Sequence, residues 1–238
     1  HDFHIYENKV GDTAYYDPDT RAIIHYKSQR YFLINCCDPT KCGVDHFATG
    51  IKELRGAEGT WRDAEDGTLS GNPIAQGSVD STLGINLQIK AHGENVAHYW
   101  IAAGMKHSDV VTLNKVIWEK TPEELIRRTE NYWKMWVNKE VFNFYDLPQR
   151  LVSFFKRSLL IIRTQIDNNG AIIAANDSDI VQMGRDTYSY MWPRDGALVA
   201  YAMIKSGYMD ITKRFFQFCA DVISKDGYLL HKYNPDRS

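Results

Sequence analysis

Apolar and polar positions alternate through the first half of the chain and recur at helical spacing through the second. Residues 21–27 (Arg-Ala-Ile-Ile-His-Tyr-Lys) and 30–35 (Arg-Tyr-Phe-Leu-Ile-Asn) flank Ser28-Gln29, which predicts a hairpin on a weak turn pair. Asp17-Pro-Asp-Thr20 is a stronger turn signal. Leu83, Ile85, Leu87 and Ile89 share one face of a strand over 83–90. His92-Gly-Glu-Asn95 turns, and Val96 to Ala103 returns, so the pair predicts a half-buried antiparallel sheet.

From Thr121 the period changes. Thr121-Pro-Glu-Glu124 has the form of a capping box, and Leu125, Thr129, Tyr132, Trp133 and Trp136 follow at helical spacing. A second helix follows Pro148, with Leu151, Phe154, Phe155, Leu159, Ile162 and Ile166 on one broad face, and stops at Asn168-Asn-Gly170. A third runs from about Asp195 to Ser206, apolar nearly all round and therefore expected to be buried on most sides. Asp210 can cap a fourth, with Ile211, Phe215, Phe216, Ala220 and Ile223 inward and Lys225-Asp-Gly227 at its end. The boundary between β and α portions falls near residue 118–121. The apolar helix needs partners that the downstream sequence does not supply, so the helices read as an arc of a larger helical domain and the chain as incomplete.

Composition narrows the functional classes. The 238 residues suffice for one large or two modest domains, and a net charge of −2 gives no reason to expect nucleic acid or an anionic membrane as partner. No apolar run approaches the roughly 18 residues that span a bilayer. The chain starts at His1, so a trimmed signal peptide is compatible with it. Cys36, Cys37, Cys42 and Cys219 fit no common zinc spacing; free thiols in a cytoplasmic protein are the expectation, with a Cys37–Cys42 disulfide and secretion as the alternative. The loop from Gly56 to Pro73 carries Trp61, Asp63, Glu65 and Asp66. Its acids can serve catalysis or calcium, but their spacing matches no calcium-loop template, and a solvated, turn-forming loop is the simpler reading. No cofactor is called for, and oligomeric state is not fixed.

The densest chemistry is Tyr188-Ser-Tyr-Met-Trp-Pro-Arg-Asp-Gly196, directly before the apolar run Ala197–Ile204. A carboxylate that accepts hydroxyl protons, a guanidinium that donates in a fixed fork, and rings that cover C–H faces are the means of sugar recognition. Each residue also has a plainer reading. Asp195 stands where a helix starts and can be its N-cap, Arg194 can pair with a surface acid, and Tyr188 and Trp192 can be core aromatics. Trp133 and Trp136 read as core or domain-interface residues, His231 as a loop histidine, and Asn176-Asp-Ser178 as a glycosylation sequon of little weight without secretion.

This stretch resembles the aromatic-x-Trp-x-Arg-Asp signature of glycoside hydrolase family 15, which holds glucoamylases, glucodextranases and certain trehalases. Gly11-Asp-Thr-Ala-Tyr-Tyr-Asp17, Gly59-Thr-Trp-Arg-Asp-Ala-Glu-Asp-Gly67 with Ser70-Gly-Asn-Pro73, and Tyr228-Leu-Leu-His-Lys-Tyr-Asn-Pro-Asp236 resemble its bacterial and archaeal branch, in the family's order. The resemblance implies a multi-domain β + α fold: an antiparallel β-sandwich over 1–118 lacking its first strands, a linker with helix over 119–147, and the first part of an (α/α)6 toroid over 148–238. It implies an inverting, exo-acting hydrolase that takes glucose from the non-reducing ends of α-glucans or oligosaccharides. Both catalytic glutamates would then lie beyond Ser238, so these residues alone are expected not to hydrolyse glucans. By the same resemblance, Arg194 and Asp195 hold glucose hydroxyls, Trp192 lines their pocket and Tyr188 stands near the developing positive charge. Lys232 and Tyr233 belong to a block beside the pocket. A glycoside phosphorylase and a non-catalytic carbohydrate-binding protein are the alternatives, and a linkage of α-1,4, α-1,6 or trehalose type stays open.

Overall fold

The computed structural model describes residues 1–7, 10–53, 56–176 and 188–238. It divides into two compact units, His1–Arg128 and Thr129–Ser238. Antiparallel sheets are followed by helices, the order that the hydrophobic pattern predicts.

In the first unit, strands β1 (Asp12–Asp17), β2 (Ala22–Lys27), β3 (Arg30–Cys37), β5 (Ile74–Gly77) and β7 (His98–Gly104) form one sheet in the order β5-β1-β2-β3-β7. Strands β4 (His46–Ile51) and β6 (Val79–Gly84) form a separate antiparallel pair. The Asp17 carboxylate closes the first turn, accepting from the Asp19 amide at 3.2 Å and the Thr20 hydroxyl at 2.7 Å. The predicted hairpin exists, with Lys27 opposite Arg30. Ser28 takes φ 50° in its two-residue turn, the left-handed backbone that such a tight reversal demands.

Strand β2 is covered on both sides, which is why it reads as a nearly continuous apolar run. Ala22 and Ile24 pack with Leu33, Ala102 and Val110 under helix α1 (His107–Lys120). Ile23 and His25 point the other way, where His25 Nε2 meets the Ser81 hydroxyl of β6 at 2.8 Å, and Tyr16 stacks on Phe47 of β4 at 4.0 Å. Helix α1 is absent from the sequence expectation because Val110, Val111, Thr112, Val116 and Ile117 are β-branched and favour strands locally. Packing overrides that preference: Asn114, buried in α1, accepts from Asn35 of β3 at 3.2 Å and from the Trp100 indole of β7 at 3.1 Å.

Two expectations are corrected here. Residues 83–90 and 96–103 do not pair with each other; β6 pairs with β4, and β7 with β3. Residues 85–97 connect the two sheets, and Ile89 and Val96 stand exposed on that connection. Only residues 83 and 84 of the expected 83–90 strand lie in a strand, the end of β6, so alternation here marks neither the strand's extent nor its neighbour. The free-thiol expectation holds for Cys36 and Cys219, whereas Cys37 and Cys42 form a disulfide across a short reversal. Burial pushes the Cys36 thiol up to about 11, keeping it protonated and unreactive. In the 56–73 loop the acids form turns: Asp63 accepts from the Ser70 amide and Asp66 from the Thr68 amide, both at 2.8 Å. Among the described residues no group of three His, Cys, Asp or Glu side chains is placed to hold a metal ion, and no helix is long and apolar enough to cross a membrane.

The second unit contains helices α3 (Gln149–Thr164), α4 (Pro193–Lys205) and α5 (Met209–Val222); the unit boundary falls within α2 (Pro122–Val137). Thr121 caps α2 as its motif predicts, accepting from the Glu124 amide at 3.4 Å. The core joins Ile166, Ile172, Met191, Ala200, Phe215 and Phe218. Trp136 stacks on Tyr208 at 4.4 Å, in keeping with a packing role. Helix α3 ends at Thr164, before the expected stop at Asn168–Gly170, and Ile166 lies beyond it, bridged to Ile172. Gly170 sits in the turn between them at φ +97°, and a Cβ there would stand 2.2 Å from the Arg214 carbonyl oxygen, so only glycine fits.

The outward faces depart from expectation. Helix α4 buries a stripe of Gly196, Ala200 and Met203, while Leu198 and Tyr201 are exposed among the described residues. Helix α5 turns Phe218 inward and Phe216 outward, because 215 and 218 share a face at i, i+3 and 216 lies one position round.

His25 generates a pH prediction. Its burial pushes the imidazole pKa down to about 3, whereas the unfolded chain takes that proton near 6.5. Between these values the unfolded state binds more protons. Stability therefore falls as pH drops from about 6.5 towards about 3, with a limiting slope of about 1.4 kcal/mol per pH unit. Denaturant titrations across this range should show His25→Gln with a shallower fall than the wild-type chain. Equal slopes would mean that His25 is already protonated in the folded state.

Candidate active site

Three chain segments meet at the start of α4. Residue Met191 pairs with Ile173 on one side and Tyr233 on the other. The Met191 and Tyr233 amides each donate to the other's carbonyl at 2.9 Å, and the Ala174 and Ala175 amides donate to the Tyr190 and Tyr188 carbonyls at 3.2 and 3.1 Å. Residues 188–192 are thus held extended between two neighbours. In an extended segment successive side chains point to opposite faces. Met191 goes into the core at 0% exposure, and Tyr190 and Trp192 go to the opposite face.

The same register sorts the 231–233 block. Tyr233 faces the core with Met191, meeting Phe218 edge-on at 6.4 Å; its hydroxyl accepts from the Leu230 amide at 2.7 Å and donates to the Val222 carbonyl at 3.3 Å. Lys232 falls on the other face, its ammonium 4.1 Å from the Tyr190 ring centroid and 5.9 Å from that of Trp192. His231 meets Trp192 edge-on at 4.8 Å, and Tyr188 lies against Trp192 at 6.3 Å. The Trp192 indole N–H is buried and meets no acceptor among the described residues. A buried donor without a partner carries a cost of about 1–3 kcal/mol.

Helix α4 starts at Pro193, with Trp192 at the N-cap. Asp195 is therefore not the N-cap that its position suggests; it occupies the third helical position, where the helix dipole favours a carboxylate. Arg194 reaches it at 3.4 Å, but the Arg194 side chain is 81% exposed and that of Asp195 49%. A contact between such solvated neighbours contributes little to the fold. The glycine after Asp195 has a packing function: a Cβ on Gly196 would stand 2.5 Å from the Phe215 ring, so its absence lets α5 close on the first turn of α4.

The structure therefore gathers Tyr188, Trp192 and Lys232 on one face, with the Arg194–Asp195 pair in the helical turn that follows, and places Tyr233 beneath them. Tyr190 joins this group without having been singled out by sequence; the period-two spacing of Tyr188, Tyr190 and Trp192 is the signal that marks it. The sequon at Asn176 runs into Asp177 and Ser178, which lie outside the described residues. An apolar groove of about 560 Å³ between α2 and α3 is lined by Trp133, Val137, Leu160 and Ile161 and includes none of the 188–195 or 231–233 residues.

No protein-family model matches the chain. Over 237 residues, 95% of its length, it is 26% identical to an uncharacterized glycosyl hydrolase of Methanocaldococcus jannaschii, of which it covers 36%. Its fold matches a crystal structure of a bacterial glucoamylase complexed with acarbose, with a TM-score of 0.73 at 18% identity, over 97% of this chain and 34% of that one. The chain thus spans only about a third of the length of these relatives.

The Tyr233 hydroxyl supplies a test of how the 231–233 block is held. Tyr233→Phe keeps the ring but leaves the Leu230 amide without its acceptor, and should cost about 1–2 kcal/mol in denaturant unfolding. A loss below about 0.5 kcal/mol would mean that the hydroxyl does not secure this turn.

Proposed function

We propose that this chain forms part of an exo-acting, inverting α-glucoside hydrolase that releases glucose from the non-reducing ends of α-glucans. One observation carries the reading. In a fold shared with a glucoamylase, the Tyr188–Asp195 stretch sets aromatic side chains beside a solvent-facing arginine and carboxylate that the fold itself does not use. The likeness to a glycosyl hydrolase over 95% of the chain supports it. On this reading residues 1–118 are a β-sandwich domain, 119–147 a linker with a helix, and 148–238 the first part of an (α/α)6 catalytic domain.

The chemistry follows from the residue types. A neutral pyranose offers hydroxyls around its edge and weakly polarised C–H groups on its faces. Asp195 accepts from hydroxyls, Arg194 donates to them, and Trp192 and Tyr188 cover an apolar face. Lys232 adds a donor at the same wall, and Tyr233 fixes that wall from beneath. Inversion needs a carboxylic acid to protonate the leaving oxygen and a carboxylate to activate water on the opposite face, about 6.5–9.5 Å apart. The proposal places that pair in the further length that the relatives possess.

In the full-length protein, maltotriose should yield glucose first seen as the β-anomer by proton NMR, while the 238 residues alone should yield none. Appearance of the α-anomer first would refute inversion. Failure on maltotriose, isomaltose and trehalose alike would refute the hydrolase reading. Asp195→Asn should lower kcat/KM at least about 100-fold, because hydroxyl contacts that tighten in the transition state are worth several kcal/mol. Its stability should change by no more than about 1 kcal/mol, the scale of a charge–dipole contact at a helix start. The reverse pattern would assign Asp195 to the fold.

A further inference from the structure

Gly196 marks the point where α4 enters the core. Its amide donates to the Trp192 carbonyl at 2.8 Å, the hydrogen bond that closes the turn carrying Arg194 and Asp195. Against it stands Phe215 of α5, 1% exposed, whose ring would lie 2.5 Å from a Cβ at position 196. Ordinary contact begins near 3.4 Å, so a single added carbon would demand a shift of about 1 Å.

The surroundings decide which side would yield. Helix α5 is anchored beside Phe215: the turn at Gly170 packs so closely on it that a Cβ there would meet the Arg214 carbonyl oxygen at 2.2 Å and the Phe215 amide nitrogen at 3.0 Å. The Phe215 ring belongs to the core formed with Ile166, Ile172, Met191 and Phe218. The first turn of α4 faces water instead, with the Arg194 side chain 81% and that of Asp195 49% exposed. The turn therefore moves and the ring does not.

We infer that Phe215 is a positioning residue for the candidate site, its ring setting how deeply the first turn of α4 seats and hence where the Asp195 carboxylate stands relative to Trp192. This rests on the reading of Asp195 as a holder of glucose hydroxyls, and adds the core residue that places it. Phe215 itself touches no substrate. Its effect reaches the chemistry because a group misplaced by about 1 Å can cost about 100-fold in rate.

Crystal structures and kinetics of the full-length protein test this. Gly196→Ala should carry the Asp195 carboxylate about 1 Å outward from the Met191 backbone, and Phe215→Leu added to it should bring the carboxylate back. With maltotriose, Gly196→Ala should lower kcat about 30-fold while KM stays within about twofold, and the double variant should regain most of that loss. In an Asp195→Asn background Gly196→Ala should cost no further rate, because the group it displaces has already lost its function. Should Gly196→Ala fail to fold, Phe215→Leu alone supplies the measurement: the turn should settle towards α5, and kcat should fall with the carboxylate displaced inward. An unmoved carboxylate in the folded variants, losses that multiply in the Gly196→Ala/Phe215→Leu protein, or a full further loss in the Asp195→Asn background would overturn the inference and leave Phe215 as core packing only. A full-length protein that cleaves no α-glucoside while the carboxylate moves and returns as described would refute the functional reading and leave the placement of Asp195 by Phe215 standing.

Discussion

The reciprocal hydrogen bonds between Met191 and Tyr233 are the constraint on which the candidate site depends. They join residues far apart in sequence and set which side chains face the core and which face outward. With that register, Met191 and Tyr233 go inward and the rings of Tyr190 and Trp192 share a face with Lys232. A slip of one residue would exchange the two sets, burying a lysine and exposing a methionine. The core below therefore enforces the chemistry above, since an unpaired ammonium among Ile172, Phe215 and Phe218 would be prohibitively costly.

The same coupling extends into α4. Trp192 ends the extended segment and is also the N-cap, and Pro193 follows as the first helical residue, where its missing N–H is not needed. Arg194 and Asp195 thus appear in the first helical turn, still near solvent, while Gly196 makes room for Phe215. Within six residues the chain passes from aromatic wall to charged pair to core packing. The Arg194–Asp195 pair is largely solvated and contributes little to the fold, and the proposed reading of this turn as a site draws on that.

The first unit follows a different logic. Its central strand is covered by α1 on one face and by the β4–β6 pair on the other, so polar groups buried there must find partners within the protein. Asn35 and Asn114 satisfy each other and the Trp100 indole, and His25 meets Ser81. His25 tolerates this place only as a neutral ring, which ties the stability of the unit to pH.

Local signals in the sequence were enough for the elements that depend on near neighbours. The Asp17–Thr20 turn, the 22–37 hairpin, the Thr121 cap and the grouping of Tyr188, Trp192, Arg194 and Asp195 all follow from chemistry within a few residues, whereas the helix expected to run to Asn168–Gly170 ends earlier, at Thr164. Tertiary structure alone decided the rest. It chose β4 as the partner of β6, made α1 a helix despite its β-branched residues, and turned Phe218 in place of Phe216 into the core. It also sent Tyr233 beneath the site and brought Tyr190 to Lys232. These outcomes share one physical reason. Pairing register and burial are settled by contacts between segments distant in sequence, and a local pattern shows that a face exists without showing what will cover it.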